Sequence, residues 1–376
     1  MYVLFISSGN PTPRYPSNFI FIHDQARALV ASGINVVYAS VDTRSFRRLR
    51  KWGIVRKSSD NVDIWTINIP LGPIPGKLSH RIAYWGLKRL YRTIELEYGR
   101  PALLHAHFAN FIAARLKNEM KIPFVITEHF SGINANRIKK SLFEYTNYAY
   151  NQADKLIAVS PSLAEKIKQN FNQDATYIPN IVDIDTFQYK DNKRSSTFNF
   201  VSTGRLIGLK RMDLLIETFY GAFNNIPNVN LTIFGEGPER KRLEKIIDLY
   251  NLNDRVRLKG LCSRKTIADK YAQSDCFVLA SQSETFGVAY IEALAMGLPV
   301  IATRSGGPEV FVNKNNGIMT DVDNLEQLTA ALLFMYENAE NYNKVDIAKN
   351  TVRKFSPESV SKQIIDVYKK VLSENE

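Results

Sequence analysis

Short apolar runs alternate along the whole chain with longer stretches of helical periodicity. Most runs are apolar throughout, as expected of parallel strands that helices cover on both faces. Alternation of strands and helices predicts doubly wound α/β sheets, and the runs are numerous enough for two of them. Strands are predicted at 3–7, 35–39, 103–106, 124–127, 155–160, 175–178, 198–203, 230–234, 256–259, 276–280 and 300–303, and clear helices at 19–32, 161–169, 212–223 and 239–250.

Two domains are predicted from the length and from one polar stretch. A chain of 376 residues exceeds the size of one ordinary core. Residues 190–197 contain no core-forming residue and resemble a linker, which gives a first domain over 1–185 and a second over 186–355. Ligands of open α/β sheets bind beyond the carboxyl ends of the strands, so we expect two Rossmann-like domains that face a cleft.

Composition is that of a soluble globular protein, with 45% hydrophobic and 23% charged residues. The two cysteines, Cys262 and Cys276, have neither metal-ligand spacing nor a disulfide framework, as is usual in a reducing compartment. Residues 1–10 contain no basic leader, and no apolar run approaches the roughly 18 residues of a membrane span. We therefore expect a cytoplasmic protein.

Positive charge is concentrated in the first half of the chain, which has a net charge of +12 overall. Residues 1–190 carry 25 Lys and Arg against 14 Asp and Glu, whereas residues 191–376 carry 24 against 23. This asymmetry indicates an anionic partner for the first half. Nucleic acid, anionic lipid and a phosphorylated substrate all satisfy it on charge alone.

The most informative motif is a pair of glutamates in the second half. Glu284 follows a predicted strand and precedes a helix predicted from about Phe286 to Gly297, so it lies near the free N–H groups where phosphates bind. Glu292 comes nearly two turns later, and Gly287 lets a ligand approach the backbone closely. Two carboxylates beside an anion site suit hydrogen bonds to hydroxyls on either side of a diphosphate. The same spacing would also occur if Glu284 only capped the helix and Glu292 were only solvated.

Three other loops follow predicted strands in the same way. Arg205 and Lys210 surround a glycine-bearing turn, where an arginine fork and a lysine point charge suit a diphosphate. Residues 234–239 contain a lone Gly-x-Gly, which is typical of a tight βα turn. Asp183 and Asp185 spell a common metal motif, but a loop with turn-forming aspartates has the same pattern.

Histidines are scarce, and three of the five follow successive predicted strands: His105, His107 and His129. No cysteine or further histidine stands at ligand spacing, so the cluster does not predict a zinc site. Core or loop histidines are the ordinary interpretation. His129, at the carboxyl end of a strand, is the one expected on the cleft.

In this order the motifs resemble retaining glycosyltransferase family four, a GT-B group that includes bacterial polysaccharide, lipopolysaccharide and phosphoinositide-mannoside transferases. The resemblance covers nearly the whole chain. Its final segment, 355–371, is similar to the family's closing helix, which crosses back onto the first domain. The first loop has one glycine, Gly9, where many members have a pair. The matching segments are 127–129, 154–160, 178–183, 204–210, 235–238 and 284–292.

The resemblance implies a nucleotide-sugar donor, UDP-linked and carrying a hexose, and a saccharide or lipid-linked acceptor in cell-surface glycan assembly. Arg205 and Lys210 would hold the diphosphate, Glu292 would bind the ribose hydroxyls, and His129 would approach the transferred sugar. Glu284 would hold the donor sugar and phosphate together with three backbone groups, those of Phe286, Gly287 and Val288.

Retention by double displacement requires a carboxylate under the anomeric carbon. Glu284 is better used on sugar hydroxyls, so we expect same-face attack in which a donor phosphate oxygen takes the acceptor proton. Glu284, His129, Arg205 and Lys210 are then the catalytic residues. Neither a metal nor another cofactor is expected, because fixed cations and a helix N-terminus stabilise the leaving diphosphate.

Two other classes fit parts of the pattern. A nucleic-acid-binding protein would explain the basic first half, but no RNA- or DNA-binding motif accompanies the charge. A GT-B enzyme that epimerises or hydrolyses nucleotide sugars would keep the donor site and lack an acceptor.

A second basic feature comes from periodicity alone. Residues 79–98 are predicted as a helix with Ser79 as its N-cap and Gly99 after its end. One stripe of this helix is cationic with a tryptophan: Arg81, Trp85, Lys88 and Arg92. The opposite stripe is apolar: Ala83, Leu87, Leu90 and Ile94. Residues 44–57 add seven basic residues, no acid, and two aromatics, Phe46 and Trp52. We expect peripheral binding to an anionic inner-leaflet membrane surface, although a solvated basic face has the same pattern.

Overall fold

The structure is a computed structural model that describes residues 1–12, 18–44, 51–72, 74, 76–134, 138–191 and 196–375. The chain divides into two compact units. Unit 1 contains Met1–Ile181 and Pro357–Glu376, and unit 2 contains Val182–Ser356. Each unit is a twisted sheet with helices on its faces, so the prediction of two Rossmann-like α/β domains is confirmed.

Unit 1 is built on a sheet of eight described strands in the order β3-β4-β2-β1-β5-β6-β7-β8. All neighbours pair in parallel except β3 and β4, which form an antiparallel hairpin at the edge. Asp60 and Asn61 turn this hairpin with positive φ angles, as two-residue hairpin loops require. The strands are β1 (Val3–Ser7), β2 (Val36–Asp42), β3 (Gly53–Ser59), β4 (Val62–Asn68), β5 (Leu103–His107), β6 (Phe124–Glu128), β7 (Lys155–Ala158) and β8 (Ala175–Tyr177).

The helices of unit 1 include the last one of the chain. They are α1 (Ile20–Ala31), α2 (Gly76–Tyr98), α3 (Phe111–Met120), α4 (Lys140–Gln152), α5 (Pro161–Phe171) and α12 (Pro357–Ser373). Val360, Ile364 and Tyr368 of α12 are buried in the same apolar cluster as Ile22 and Leu29 of α1. The last helix therefore completes the core of the first unit.

Unit 2 is built on six described strands, all parallel, in the order β11-β10-β9-β12-β13-β14. The strands are β9 (Phe198–Thr203), β10 (Val229–Phe234), β11 (Val256–Leu258), β12 (Cys276–Leu279), β13 (Val300–Thr303) and β14 (Gly317–Thr320). The helices are α6 (Met212–Phe223), α7 (Arg240–Leu249), α8 (Arg264–Tyr271), α9 (Val288–Ala295), α10 (Leu325–Asn338) and α11 (Lys344–Phe355).

The chain leaves unit 1 earlier than the polar stretch suggests. The division falls between Ile181 and Val182, before the predicted boundary at 185/186. Val182 already donates a backbone hydrogen bond to Phe355, and Phe187 is fully buried with its ring 5.9 Å from that of Tyr271. The described part of the stretch 190–197 is therefore a loop within unit 2, and residues 192–195 lie outside the described residues.

Two further differences between prediction and structure have local causes. Strands β3, β4 and β14 were not predicted. Strand β3 is a partly exposed edge strand, β4 is interrupted by polar residues, and β14 is short. Helix α2 begins at Gly76 rather than after Ser79, because Lys77 and Leu78 continue the helix by one turn. None of the helices in the described residues is both long and apolar enough to cross a membrane.

Candidate donor site and the histidine cluster

Glu284 lies in the loop between β12 and α9 and is held there by three groups. Its Oε1 accepts hydrogen bonds from Lys210 Nζ at 2.5 Å and from Ser281 Oγ at 2.7 Å. Its backbone N–H donates to the carbonyl of Ser305 at 2.9 Å. Glu284 is only 7% exposed. The structure therefore brings two of the predicted site residues, Lys210 and Glu284, into direct contact.

The N-terminus of α9 follows directly. Gly287 precedes the first helical residue, Val288, with a φ of 95° in the left-handed region. A Cβ added there would lie 2.7 Å from the ring of Tyr290, so only glycine fits. No side chain of the described residues caps this end of the helix. Its first N–H groups are thus available to an anion, and they lie in the same loop as Glu284.

Lys210 is carried on a 3-10 turn after β9. Gln282 donates its backbone N–H to the carbonyl of Leu209 at 2.8 Å, which ties this turn to the Glu284 loop. The next residue, Arg211, pairs with Asp213 and with Asp323. Lys210 is therefore positioned by its neighbours on both sides.

Arg205 lies in the same loop as Lys210, but its side chain is in a different environment. Its side chain is exposed and makes no hydrogen bond or ion pair with any described residue.

The glycines of 234–239 explain the position of the loop that contains Arg205. A Cβ at Gly235 would lie 1.8 Å from the carbonyl oxygen of Gly204, and one at Gly237 would lie 2.1 Å from that of Leu206. These glycines allow two backbones to touch, and they need no ligand to explain them.

Glu292 lies on α9 and is 8% exposed. Its Oε1 accepts from Nη2 of Arg264 at 2.9 Å, and Nη1 of the same arginine lies 3.4 Å from Oδ2 of Asp183. Burial raises the pKa of Glu292, and the charge and hydrogen bond of Arg264 act against that rise. Arg264 was not predicted as a site residue. No local pattern points to it, because its partners Glu292 and Asp183 lie far from it in the chain.

The Asp-x-Asp sequence proves to be a capped turn. Asp183 accepts a hydrogen bond from the hydroxyl of Thr186 at 2.7 Å in addition to its contact with Arg264. In the part of the chain that the structure describes, no three His, Cys, Asp or Glu side chains are grouped so that they could hold a metal ion.

His129 belongs to unit 1, where it forms a buried stack with His105 and His107. The ring centroids of His105 and His107 are 4.6 Å apart, and those of His107 and His129 are 5.4 Å apart, with the rings nearly parallel. Nδ1 of His107 lies 3.2 Å from Nε2 of His129. His105 contacts the hydroxyls of Thr127 at 2.7 Å and of Tyr368 at 2.5 Å. The stack therefore links α12 to the carboxyl ends of β5 and β6.

Burial determines the charge of this cluster. It lowers the pKa of both His105 and His129 to about 3 and that of His107 well below its usual range. All three are therefore neutral near pH 7. Nδ1 of His129 and Nε2 of His107 are buried and have no partner among the described residues. The Glu128 carboxylate accepts the N–H groups of His129 and Phe130 and so fixes the backbone at this point.

Gly9, the single glycine of the first loop, has a packing role. A Cβ on it would lie 2.7 Å from the ring of Phe19, and its carbonyl accepts hydrogen bonds from Ser7 and Tyr38.

Helix α2 presents a mixed stripe to solvent. The predicted apolar stripe is buried, as expected for Ala83, Leu87, Leu90 and Ile94. The assignment of Lys88 to the predicted cationic stripe is wrong, because Lys88 forms an ion pair with Glu119 of α3. Arg89 replaces it, with its guanidinium 5.7 Å from the ring centroid of Trp85. We call six of the exposed residues of this helix the α2 stripe: Leu78, Arg81, Trp85, Arg89, Arg92 and Leu96.

The basic stretch 44–57 contributes less than its composition suggests. Arg44 pairs with Asp42, and Arg56 pairs with Asp63 and Glu97. Trp52 is 71% exposed. Residues 45–50, which include Phe46, lie outside the described residues.

Comparisons with known proteins match both units. Residues 20–186 match the model for Glycosyltransferase Family 4, and residues 183–352 match the model for Glycosyl transferases group 1. An uncharacterised glycosyltransferase of Methanocaldococcus jannaschii is 29% identical over 276 residues, covering 72% of this chain and 75% of that protein. The N-acetyl-alpha-D-glucosaminyl L-malate synthase of Bacillus anthracis is 26% identical over 291 residues, covering 73% and 76%.

The fold comparison gives the same result. Anabaena HepE, solved in complex with UDP and glucose, superposes with a TM-score of 0.78 at 19% identity, covering 98% of this chain and 99% of that one. The two family models together span residues 20–352, and each covers one α/β unit. The chain therefore belongs to glycosyltransferase family four and has the GT-B type of fold.

Proposed function

We propose that the protein transfers a hexose from a UDP-sugar to a saccharide or lipid-linked acceptor in cell-surface glycan assembly, with retention of the anomeric configuration. The observation that carries the proposal is the contact between Lys210 and Glu284 beside the uncapped N-terminus of α9. A cation, a carboxylate and free backbone N–H groups in one loop suit a sugar linked through a diphosphate.

The leaving diphosphate gains negative charge as the glycosidic bond breaks. Lys210 and the N–H groups at the start of α9, those of Phe286, Gly287 and Val288, are fixed before the donor binds. Preorganised groups of this kind stabilise developing charge without reorganisation during the reaction. Arg205 is exposed and unpaired among the described residues, so its fork is available to bind a second phosphate oxygen. This donor site needs no metal ion.

The glutamates have separate roles in this proposal. Oε1 of Glu284 already accepts from Lys210 and Ser281, which suits a group that orients sugar hydroxyls better than a nucleophile that must attack carbon. Same-face attack then supplies retention, with a donor phosphate oxygen accepting the acceptor proton. Glu292 binds the ribose hydroxyls. We assign neutral His129 to the transferred sugar as a hydrogen-bonding group, since a histidine that stays uncharged near pH 7 can donate or accept a hydrogen bond but adds no charge.

Relatives support the donor class. HepE was solved with UDP and glucose, and the Bacillus anthracis relative is named for an N-acetylglucosaminyl product. Both names describe hexose-type sugars, and one describes UDP.

The α2 stripe supports a membrane-proximal acceptor. Leu78, Trp85 and Leu96 are 45%, 56% and 91% exposed, and three arginines flank them. Apolar side chains surrounded by cations suit the surface of an anionic bilayer, where each cation contributes about 1 kcal/mol. The proposed enzyme binds the inner leaflet peripherally through this stripe.

The test is a panel of UDP-, GDP- and ADP-linked sugars in a thermal-shift assay, followed by measurement of nucleotide release. A UDP-sugar should raise the melting temperature, because a ligand that binds only the folded state stabilises it. UDP release should then depend on an added saccharide or polyprenyl-linked acceptor, and the product anomer should match that of the donor. Release at the same rate without acceptor would favour a hydrolase, and conversion of the donor into an epimeric nucleotide sugar without nucleotide release would favour an epimerase. An inverted anomer would overturn retention.

A further inference from the structure

Arg264 is an arginine of unit 2 that contacts two buried carboxylates. It is the first residue of α8, after an N-cap in which Ser263 accepts the N–H of Thr266. Its two terminal nitrogens reach two different carboxylates, Glu292 at 2.9 Å and Asp183 at 3.4 Å. Its guanidinium carbon also lies 5.6 Å from the ring centroid of Phe187.

The partners of Arg264 are buried and come from separate elements. Glu292 lies on α9, whereas Asp183 and Phe187 lie in the segment after β8. Glu292 and Asp183 are each 8% exposed, and Phe187 is fully buried. An exposed ion pair contributes little to stability or orientation, but an enclosed pair with several contacts fixes the position of its members. These contacts fix the position of the Arg264 guanidinium beside the Glu292 carboxylate.

The charges around Glu292 explain why an arginine is needed. The ionisable groups that face it are Arg264 from α8, Asp183 from the segment after β8, and Tyr271 from the end of α8. Burial and the charge of Asp183 both raise the pKa of Glu292, and Arg264 opposes them. Without the guanidinium, two buried carboxylates would face each other with no cation, and one of them would take up a proton.

The contact also leaves part of the carboxylate available. Arg264 donates to Oε1 of Glu292, and Oε2 makes no hydrogen bond with any described residue. A planar fork can contact one carboxylate with each nitrogen, which a lysine ammonium on a flexible stem does less well. An ionised carboxylate with one oxygen anchored and one open is a fixed acceptor for neighbouring hydroxyls.

We propose that Arg264 is a positioning residue for nucleotide recognition, which fixes the Glu292 carboxylate as the acceptor of the ribose hydroxyls. This inference rests on the proposed function, in which Glu292 binds the ribose of the donor. It assigns to Arg264 no contact with the donor itself.

The test compares the binding of UDP and of 2′,3′-dideoxy-UDP by calorimetry, because the two ligands differ only in the hydroxyls concerned. Wild-type protein should bind UDP about tenfold or more tightly than the dideoxy analogue, the scale of a hydrogen bond to a charged group. Glu292→Gln and Arg264→Gln should each bring this ratio close to one. Arg264→Lys should give an intermediate ratio. A ratio of affinities is insensitive to a loss of stability, so it separates positioning from a general structural role.

Arg255→Gln is the matched control. Arg255 is also partly buried in unit 2, but its hydrogen bonds to described residues all go to backbone carbonyls, those of Phe223, Ile226 and Val229. This variant should lose stability and keep the wild-type ratio.

A second readout is pH. Loss of Arg264 raises the pKa of Glu292 further, so the carboxylate of Arg264→Gln ionises only at higher pH. The UDP affinity of this variant should improve between pH 7 and pH 9 relative to wild type, and Arg255→Gln should show no such gain.

The outcomes separate the inference from the proposed function. If Glu292→Gln removes the discrimination and both Arg264 variants keep the wild-type ratio, Arg264 does not position Glu292 and the ribose assignment stands. If Glu292→Gln keeps the wild-type ratio, or wild-type protein binds neither nucleotide, the ribose assignment and the inference both fail.

Discussion

Nζ of Lys210 lies 2.5 Å from Oε1 of Glu284, so a single ion pair joins the turn after β9 to the loop that leads into α9. The two side chains lie in segments that follow β9 and β12, and these strands are neighbours in the sheet. The pair that we assign to the proposed donor site is therefore formed by contacts within one sheet of unit 2. It follows that removing either member disturbs the other.

Lys210→Ala and Arg205→Ala should each reduce the transition-state stabilisation measured by kcat/KM by roughly 2–4 kcal/mol, because each removes a cation from the developing diphosphate charge. The loss should appear mainly in kcat. Arg242→Ala is the control, since Arg242 is exposed and, among the described residues, pairs only with Asp213 and Glu239. Steady-state kinetics with the donor identified by thermal shift provide the measurement. A loss below tenfold for both site variants would remove these residues from the diphosphate site.

Activity should not depend on a divalent metal. In the proposed site the cations at the diphosphate are Lys210 and Arg205, and Asp183 already contacts Thr186 and Arg264. Turnover in excess EDTA should therefore equal turnover in untreated buffer. A rate abolished by EDTA and restored by manganese would contradict this expectation and return Asp183 and Asp185 to consideration as ligands.

Glu284→Ala and Glu292→Ala should separate turnover from donor binding. Glu284 is assigned to the transferred sugar, so its loss should mainly lower kcat. Glu292 is assigned to the ribose, so its loss should mainly raise the donor KM. Initial rates over a range of donor concentrations distinguish the two effects. Wild-type kcat and donor KM in both variants would show that the paired glutamates have no part in donor recognition.

Membrane binding should depend on the arginines of the α2 stripe. Arg81→Glu, Arg89→Glu and Arg92→Glu combined should abolish co-sedimentation with vesicles that contain anionic lipid, since each cation contributes about 1 kcal/mol at the surface. Binding of wild-type protein should weaken at higher salt. The matched control reverses three exposed charges of unit 2: Lys241, Lys245 and Arg257. Equally weak binding of wild type to anionic and neutral vesicles would refute the membrane proposal.

The stability of unit 1 should fall on acidification through its buried histidines. The folded-state pKa of His105 and of His129 is about 3, below the unfolded value near 6.5. Between these values the unfolded chain binds protons that the folded chain does not, so the free energy of unfolding decreases as pH falls. Each such histidine contributes about 1.4 kcal/mol between pH 7.5 and pH 5.5.

The measurement is urea unfolding followed by tryptophan fluorescence, which reports on unit 1 because Trp52, Trp65 and Trp85 all belong to it. His107→Gln removes one titrating group, so the free energy of unfolding of the variant should change by about 1.4 kcal/mol less over the same pH range. An identical pH dependence in wild type and variant would mean that His107 is not buried in its neutral form.

The fold was predictable from the sequence because strand–helix alternation is a local pattern. The runs Phe198–Thr203 and Val300–Thr303 were predicted as strands, and their bounds agree with the structure. Partnerships between distant residues were not predictable in this way. Lys88 was assigned to the exposed stripe of α2 from its spacing, but Glu119 on a neighbouring helix turns it away. Arg264 was missed for the same reason, since its two carboxylate partners lie 81 and 28 residues away in the chain.

The return of α12 to unit 1 has a consequence for biosynthesis. Residues 357–376 leave the ribosome after the whole of unit 2, yet Val360, Ile364 and Tyr368 complete the apolar cluster around α1. At the usual rates of translation, about 5–20 residues per second, the first unit waits for roughly 10–35 seconds with this surface uncovered. Unit 2 is contiguous in sequence and can close before unit 1 does. Chaperone binding to the nascent chain is therefore expected to concentrate on the exposed face of α1, and release should coincide with the emergence of the last helix.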